Sequence, residues 1–280
     1  MKFPEPTELS VGFFVWSFYV AYILLIAKFA LIFENQNHKI MKKALFIVVA
    51  FFIMVSLSAQ VTFGPKVGFT LSKYGYKYSS SLEYKEPESK FKLGPAIGFM
   101  MNVPILEFLS FQPSLMYSKK GTGVDVAFRE SGDAVITGYE RVRVSYLELP
   151  LNLSLGLKIG TFKFQIFAGP YFAYAIAGKH KWDYEENVNG NRKDIKGDEK
   201  ITFKNEVPTE DFENTKPYQR PFDLGINFGV GYKVKSVLLN LGYAMGFSNL
   251  QPEVQGDDSY ATDHKYYNRT IFVSAAWLFE

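Results

Sequence analysis

The sequence contains no cysteine. Disulfides, thiolate nucleophiles and cysteine-ligated metals are therefore excluded, and an oxidising cell envelope is compatible with the chain. The sequence also lacks a surplus of one charge, because 31 basic and 28 acidic residues are mixed along it and leave a formal charge of +3. Without a basic stripe there is no reason to expect nucleic acid as a partner.

Mean hydropathy is low for a membrane protein, at −0.04, and this value excludes a polytopic helical membrane protein. Yet 48% of the residues are hydrophobic and 17% are aromatic. This aromatic content is high for a soluble domain. A lipid-facing β-barrel with aromatic girdles accounts for both observations.

What the sequence does contain is a regular alternation of large apolar residues with small or polar ones. In Phe222–Val234 and again in Val237–Ser248, every second residue is large and apolar. Because the side chains of a strand point alternately to two faces, one face of this hairpin is apolar and the other carries polar or very small residues. The same pattern recurs in Thr62–Ser72, Lys90–Asn102, Leu109–Ser118, Leu147–Lys158, Phe162–Tyr174 and Tyr267–Phe279. We predict an all-β fold, an eight-stranded antiparallel up-and-down transmembrane β-barrel in the bacterial outer membrane.

The connections between these segments alternate in length. Long polar loops are predicted at Lys73–Ser89, Lys119–Gly138, Lys179–Gln219 and Asn249–Tyr266. Short turns are predicted around Val103–Leu106, Ile159–Thr161 and Lys235–Ser236. Short turns face the periplasm in outer-membrane barrels, so we expect the four long loops outside the cell and both ends of the barrel in the periplasm.

Five prolines interrupt the predicted strands, at Pro65, Pro95, Pro113, Pro150 and Pro170. Proline cannot donate to a strand ladder, and a closed barrel has no edge on which to place it. Each proline therefore predicts a bulge, a strand end or one missing ladder bond.

Two hydrophobic stretches precede the predicted barrel. Residues 41–60 have a basic start, a short apolar run and a small-residue exit, which predict a secretory signal peptide. Residues 11–33 are long enough to span a bilayer. Since a second complete leader follows, we interpret residues 1–40 as a mis-assigned extension, with a hydrophobic anchor as the alternative. The barrel domain is then residues 61–280.

The polar face of the strands predicts the barrel interior. A barrel of eight strands is narrow enough to be filled by side chains, and confined charges are expected to be paired. The predicted interior network comprises Lys66, Lys92, Gln112, Glu148, Asn152, Lys163, Gln165, Asp223, Asn227 and Asn240. Aromatic residues at strand ends predict two interfacial girdles, formed by Phe63, Tyr117, Tyr174, Tyr232, Phe247, Trp277 and Phe279. We expect a plug, with a polar or proton pathway as the alternative.

Catalytic, metal and cofactor sites have weak support. His180 and His264 lie in predicted external loops with aspartates nearby, Asp183 beside the first and Asp258 and Asp263 beside the second. Neither histidine has a nucleophile at fixed spacing. Asp194, Asp198 and Glu199 provide oxygen atoms suited to calcium, but not with the spacing of a known calcium loop. We expect no enzyme, no metal and no cofactor.

Several motifs are shared with a known family. They are Gly64–Gly68, Phe111–Gly121, Tyr146–Leu151, Gly169–Tyr171 and Asp223–Gly225, and with them the chain resembles the PorT-like outer-membrane β-barrel family of Bacteroidetes over about residues 61–279. One departure is that Glu280 follows Phe279, whereas barrel proteins usually end on the aromatic residue read by the insertion machinery. The resemblance implies an outer-membrane barrel, and some relatives assist the secretion of surface proteins.

The sequence thus predicts a non-enzymatic barrel with a structural, secretion-accessory or surface-interaction role through its external loops. Its expected partners are outer-membrane lipid, lipopolysaccharide, the barrel-insertion machinery and a secretion-system or surface protein. A small barrel enzyme acting on lipid or peptide, or a narrow channel, is the alternative.

Overall fold

The computed structural model describes residues 61–78, 88–129, 135–159, 162–188, 191–209, 216–256 and 263–279. The predicted leader, residues 1–60, lies outside them. Eight long strands are present in the described ranges: β1 (Thr62–Tyr78), β2 (Ser89–Leu106), β3 (Leu109–Arg129), β4 (Val135–Ile159), β5 (Phe162–Val188), β10 (Phe222–Val234), β11 (Val237–Gly246) and β13 (His264–Trp277). The shorter strands are β6 (Asn191–Lys200), β7 (Thr202–Phe203), β8 (Glu206–Val207), β9 (Tyr218–Gln219) and β12 (Glu253–Val254). Among the described residues, no helix has the length and apolarity to cross a bilayer.

The eight long strands close into a ring. Each pairs antiparallel with its neighbour in the order β1, β2, β3, β4, β5, β10, β11, β13, and β13 returns to β1 through the register Lys66 to Ala276. This confirms the predicted all-β, eight-stranded antiparallel barrel. Closure leaves no unpaired edge within the ring, as a bilayer requires, because hydrocarbon offers backbone groups no hydrogen-bond partner.

The alternation of the sequence becomes the two faces of the barrel wall. On β1, for example, Phe63, Val67 and Phe69 are exposed on the outside, while Lys66 and Thr70 are buried inside. The same outward pattern continues through Leu147–Leu157 on β4 and Val273–Trp277 on β13. An apolar belt of this kind is stable only against lipid, since in water it would be a very large exposed hydrophobic patch.

Several strands extend far beyond the membrane. About 9–11 residues suffice for a tilted strand to cross a bilayer, but β4 has 25 residues and β5 has 27. The predicted long loops at Lys73–Ser89, Lys119–Gly138 and Lys179–Gln219 are therefore wrong in part, because β1, β3 and β5 continue through their first residues. Beyond the belt, β6 adds to the outer end of β5, from Lys179 paired with Lys200 to Val188 paired with Asn191.

A cap of short segments covers the extracellular mouth. Strands β7 and β9 pair in parallel, as do β8 and β12. Leu250 and Val207 are fully buried in this cap, and Gln219 reaches into the barrel with 2% of its surface exposed. The cap thus packs on the barrel interior and closes it from above.

Candidate functional site

The centre of the barrel interior is an ion-pair cluster. The Lys120 Nζ lies 2.7 Å from the Glu148 Oε1 and 3.7 Å from the Asp223 Oδ2. Lys120 and Asp223 are almost completely buried. Buried charges of this kind are stable only when they are paired and hydrogen-bonded, and Ser118 accordingly donates a hydrogen bond to the Glu148 Oε1 at 2.6 Å.

Aromatic and amide side chains complete this cluster around Asp223. The Tyr171 hydroxyl donates to the Asp223 Oδ2 at 3.0 Å, and the Asn268 Nδ2 donates to the same oxygen at 2.8 Å. The rings of Tyr171 and Tyr146 lie 4.6 Å and 5.4 Å from the Lys120 Nζ. The ammonium is therefore held by two carboxylates and two aromatic faces.

The same network joins the cap to the barrel. The Gln219 Nε2 donates to the Tyr146 hydroxyl at 2.7 Å, and the Tyr74 hydroxyl donates to the Gln219 Oε1 at 2.8 Å. Around these bonds, Val144, Ala175 and Ile201 form an apolar cluster with Tyr146. The hydrogen bonds fix the position of the cap, and the apolar cluster excludes water beneath it.

A second network of amides lies nearer the periplasm. Gln112 donates to Asn102 at 2.9 Å and to Gln165 at 3.0 Å, and Gln165 donates to Asn240 at 3.1 Å. Ser154 donates to Gln165 at 2.9 Å. These bonds link side chains from β2, β3, β4, β5 and β11, so they span the lumen.

An apolar cluster closes the periplasmic end. It consists of Met100, Leu238, Ala276 and Leu278, which are 1–2% exposed. Between this seal and the ion-pair cluster remains a cavity of about 50 Å³, lined among others by Lys66, Asn152, Asn227 and Thr270. Such a volume holds only a few water molecules. The two networks and the apolar cluster therefore occupy the described part of the lumen around this cavity.

Eight of the ten predicted interior residues face the lumen. Glu148 and Gln165 form hydrogen bonds there. The other six are buried: Lys66, Gln112, Asn152, Asp223, Asn227 and Asn240. Lys92 and Lys163 do not join the network. Lys92 pairs with Ser72 on β1, beside a register shift between β2 and β3, but its Nζ lies 4.6 Å from the ring of Tyr139 and not in the hydrogen-bond network. Lys163 is exposed because it lies at the open periplasmic rim, opposite Lys233 and Lys158.

The predicted girdle residues lie on the outer face at two levels. Phe63, Tyr232, Trp277 and Phe279 lie near the short turns, and Trp277 stacks on Phe279 with ring centroids 6.1 Å apart. Tyr117, Tyr174 and Phe247 lie at the opposite end of the belt. Two aromatic levels on either side of an apolar belt match the two membrane interfaces.

The predicted histidine sites take different partners from those expected. The His180 Nε2 lies 3.1 Å from the Glu140 Oε2, while Asp183 pairs with Lys196 instead. Tyr184 donates a hydrogen bond to Glu140. Burial opposes ionisation of Glu140, but the hydrogen bonds from His180 and Tyr184 prevail and lower its pKa below the usual value. His264 packs edge-on against Tyr78. Neither histidine is placed beside a serine or threonine nucleophile by the contacts described.

Candidate calcium ligands are also used otherwise. Asp198 binds Lys179 at 2.5 Å and Asp194 lies 3.9 Å from Lys196. The described residues contain no group of three or more potential ligands arranged for a metal ion.

Sequence reasoning missed most of the central cluster. Lys120 was assigned to a loop, although Gln112, Ser114, Met116, Ser118 and Lys120 continue one face of β3. Tyr146 and Tyr171 also lie at inward positions of β4 and β5, but the predicted interior network contains only charged and amide side chains. Gln219 comes from the cap, and no local pattern identifies it.

Fold and interior together define a class: an outer-membrane β-barrel whose lumen is packed and capped. The chain belongs to the family described as Outer membrane protein beta-barrel domain, whose profile matches residues 36–251. No match was found among curated proteins.

One similar solved structure is that of Ail, the attachment invasion locus protein of Yersinia pestis, in complex with the heparin analogue sucrose octasulfate. The two chains share 12% identity and a TM-score of 0.33, and the similarity covers 79% of this chain and 99% of that one. Neisserial surface protein A (NspA) has 12% identity, a TM-score of 0.29 and the same coverage. The translocator domain of the autotransporter NalP from Neisseria meningitidis has 9% identity, a TM-score of 0.23 and coverage of 85% and 96%.

Proposed function

We propose that this protein is a non-enzymatic surface-interaction protein of the PorT-like branch of outer-membrane barrels. The observation that supports it is the filled lumen: paired charges, amides and apolar seals occupy the space that a channel would need open. The chemistry available to a partner is therefore on the outside, on the part of the wall that rises above the membrane.

The outer ends of β3, β4, β5 and β6 form this extracellular wall. Its last strand, β6, pairs with β5 on one side and with no other strand among the described residues. An open strand edge is a template for an extended peptide. The charged side chains along it, such as Arg192 and Lys196 with their partners Glu185 and Asp183, disfavour pairing between two copies of this edge while leaving it available to a partner of complementary charge.

Site-specific photo-crosslinking on intact cells tests where the partner binds. A crosslinking residue at Lys193, exposed on β6, is compared with one at Glu107 in a periplasmic turn. We expect discrete adducts at position 193 and none at 107. Adducts at 107 alone would contradict the proposal and favour a secretion-accessory role on the periplasmic side.

Shortening the β5–β6 hairpin tests whether the wall is needed. Removal of residues 184–195, with a two-residue Asn-Gly turn between Asp183 and Lys196, preserves the closing pair of the ladder and leaves Ile201 and Gln219 in place. We expect normal assembly and loss of the adducts from a crosslinker at Lys181. The matched control is an equivalent shortening of the β3–β4 hairpin between Ala127 and Thr137, which should retain them.

We further propose that residues 41–60 are a cleaved signal peptide and that residues 61–280 are the mature barrel, with residues 1–40 outside it. The basic start, the short apolar run and the small-residue exit of residues 41–60 support this division. N-terminal sequencing of the protein from outer membranes tests it, and a mature chain beginning near Val11 would overturn it.

A further inference from the structure

The open edge of β6 carries a regular pattern of charge. This strand has ten residues and pairs with β5 alone among the described residues. Every second residue therefore directs its backbone N–H and C=O groups away from the sheet. The side chains of one face, which we call the charged face, alternate in sign along the strand: Arg192, Asp194, Lys196, Asp198 and Lys200. A strand added at this edge would meet positive and negative side chains in turn.

The residues of the charged face remain accessible although they have partners on β5. Arg192 lies 3.5 Å from Glu185, yet 71% of its side chain is exposed. Lys196 lies 3.3 Å from Asp183 and 3.9 Å from Asp194, and both Lys196 and Asp194 are exposed over more than half of their surface. Ion pairs at the surface contribute little to stability. These side chains can therefore take a second partner at the open edge, where charge would select that partner.

The opposite face of β6 carries an aromatic platform. On this face Trp182 of β5 lies directly opposite Gly197. A Cβ at Gly197 would lie 2.4 Å from the Trp182 Cζ2, so the indole ring crosses from its own strand onto the glycine. Ile195 is the next residue of β6 on the same face. This is the inner face of the wall, because Gly178, four residues before Trp182, lies against Ile201 of the cap.

The platform ends where the sheet ends. Among the described strands, none continues the sheet beyond β6, and Trp182 and Ile195 are half-buried. Trp182 also packs on His180, with ring centroids 5.5 Å apart, which restricts the movement of the indole. Because Gly197 has no side chain, a large residue of an added strand could rest on the indole beside it. A held tryptophan of this kind is a frequent anchor in protein interfaces.

A second copy of this chain in the same membrane does not fit the β6 edge. Both copies would have their β6 strands running toward the membrane, so the two edges cannot meet as an antiparallel ladder. A two-fold axis along the membrane normal would instead bring the charged face of one copy beside the inner face of the other. Neither the alternating charges nor the aromatic platform would then meet a matching surface. The pattern of the edge favours a different chain, in which both faces can be complementary.

We propose that the β6 edge binds an extended segment of a partner protein in which acidic and basic residues alternate at every second position and a large apolar residue lies opposite Gly197. This inference rests on the proposed surface-interaction function and specifies the chemistry of the partner. Backbone hydrogen bonds of the added strand supply the affinity. The alternating charges set the register, because a shift by two residues would oppose like charges along the whole ladder. The apolar residue packs on Trp182.

Labelled peptides titrated against the full barrel in nanodiscs test this pattern, with binding followed by fluorescence anisotropy. The matching peptide is ETKFEFKTE, which reads the same in both directions and so fits parallel or antiparallel addition. The matched control, ETEFEFKTK, has the same composition with its charges in blocks, so that aligned with β6 it opposes like charges at Asp198 and Arg192, or at Asp194 and Lys200 in the other direction. We expect the matching peptide to bind about tenfold more tightly.

A second comparison tests the aromatic platform. Replacement of both phenylalanines of the matching peptide by serine should weaken its binding by about tenfold or more, and Trp182→Ala should weaken the binding of the original peptide to the same extent. Tyr139→Ala is the matched control, since it removes an aromatic ring from β4, away from the β6 edge. Its affinity for the matching peptide should be unchanged.

Equal binding of the matching and block-charged peptides would overturn the proposal, as would the absence of binding up to about 1 mM. If Trp182→Ala assembles poorly, the serine peptide still decides the role of the platform on the unmodified barrel. The outcomes also separate this proposal from the broader one. Adducts at position 193 on cells without peptide binding would overturn the alternating pattern alone, whereas peptide binding without such adducts would overturn the surface-interaction function. An adduct with the mass of two copies of this chain would exclude a different partner.

Discussion

Removal of the Asp223 carboxylate is expected to destabilise the barrel strongly. Asp223→Ala deprives the Tyr171 hydroxyl and the Asn268 amide of their common acceptor, and it leaves Lys120 with Glu148 alone. Lys120 stays paired with Glu148 at 2.7 Å, so the cost comes from the two buried donors that lose their acceptor, at about 1–3 kcal/mol each. We therefore expect a loss of about 4 kcal/mol, or roughly a thousandfold in the unfolding constant.

The assay is reversible urea unfolding in lipid vesicles, followed by tryptophan fluorescence and by the heat-dependent mobility of the folded barrel on gels. Asp198→Ala is the matched control, because Asp198 also pairs with a lysine but lies at the surface; surface pairs contribute little, so its unfolding midpoint should not move. A further variant combines Asp223→Asn, Glu148→Gln and Lys120→Met. It should recover much of the loss, since it replaces the ion pairs without leaving an unpaired charge.

Stability of Asp223→Ala equal to that of the unmodified protein would refute this reasoning. It would mean that water reaches the Tyr171 hydroxyl and the Asn268 amide and satisfies them, and the lumen could then not be described as sealed. Equal destabilisation by Asp198→Ala would also contradict this reasoning, because burial would then not distinguish the two aspartates.

Three other outcomes are expected. Gly242→Val should reduce assembly, since a Cβ there would lie 2.5 Å from the Phe272 Cζ and 3.0 Å from the Phe167 Cζ, and gel mobility of the folded form would show it; Ala at the exposed Val230 is the tolerated control. Planar bilayers containing the protein should show no single-channel steps, whereas steady unit conductance would indicate an open lumen. The pKa of Glu140 is lowered in the folded state. The Glu140 carboxylate therefore stabilises the extracellular wall above the ordinary glutamate pKa, and this stabilisation is lost as pH falls through the lower folded value. Trp182, which packs on His180, should report the loss as a fluorescence change that Glu140→Gln abolishes.

The barrel itself could be predicted because lipid imposes the same alternation on every strand. Phe63, Leu147 and Val273 lie outside for that reason, and their neighbours lie inside. The pattern stops at the headgroup level, where both faces of a strand meet water or protein. For this reason Lys120 and Lys181 fall in predicted loops although they lie on continuing strands. Lys92 keeps its place in the alternation, but its long side chain ends over the ring of Tyr139, a contact that no local pattern predicts.

For the barrel interior, the sequence predicts which types of residue face the lumen but not which of them form pairs. Glu148 and Asp223 were expected to pair with lysines, but the structure brings them to Lys120, whose strand assignment depends on the extent of β3. Gln219 was beyond prediction in principle, since its partners Tyr74 and Tyr146 are distant in sequence and are joined only by closure of the ring.

The hydrogen bonds of Gln219 also have a consequence for the order of assembly. Tyr74 is on the first strand and is separated from Gln219 by 145 residues, while Tyr146 is 73 residues away. Contacts between such distant segments carry a loop-closure entropy cost, which pairing of the intervening strands lowers. The cap can therefore take its final position only when β1 and β4 are both in place, so its formation would report that the first half of the barrel is assembled.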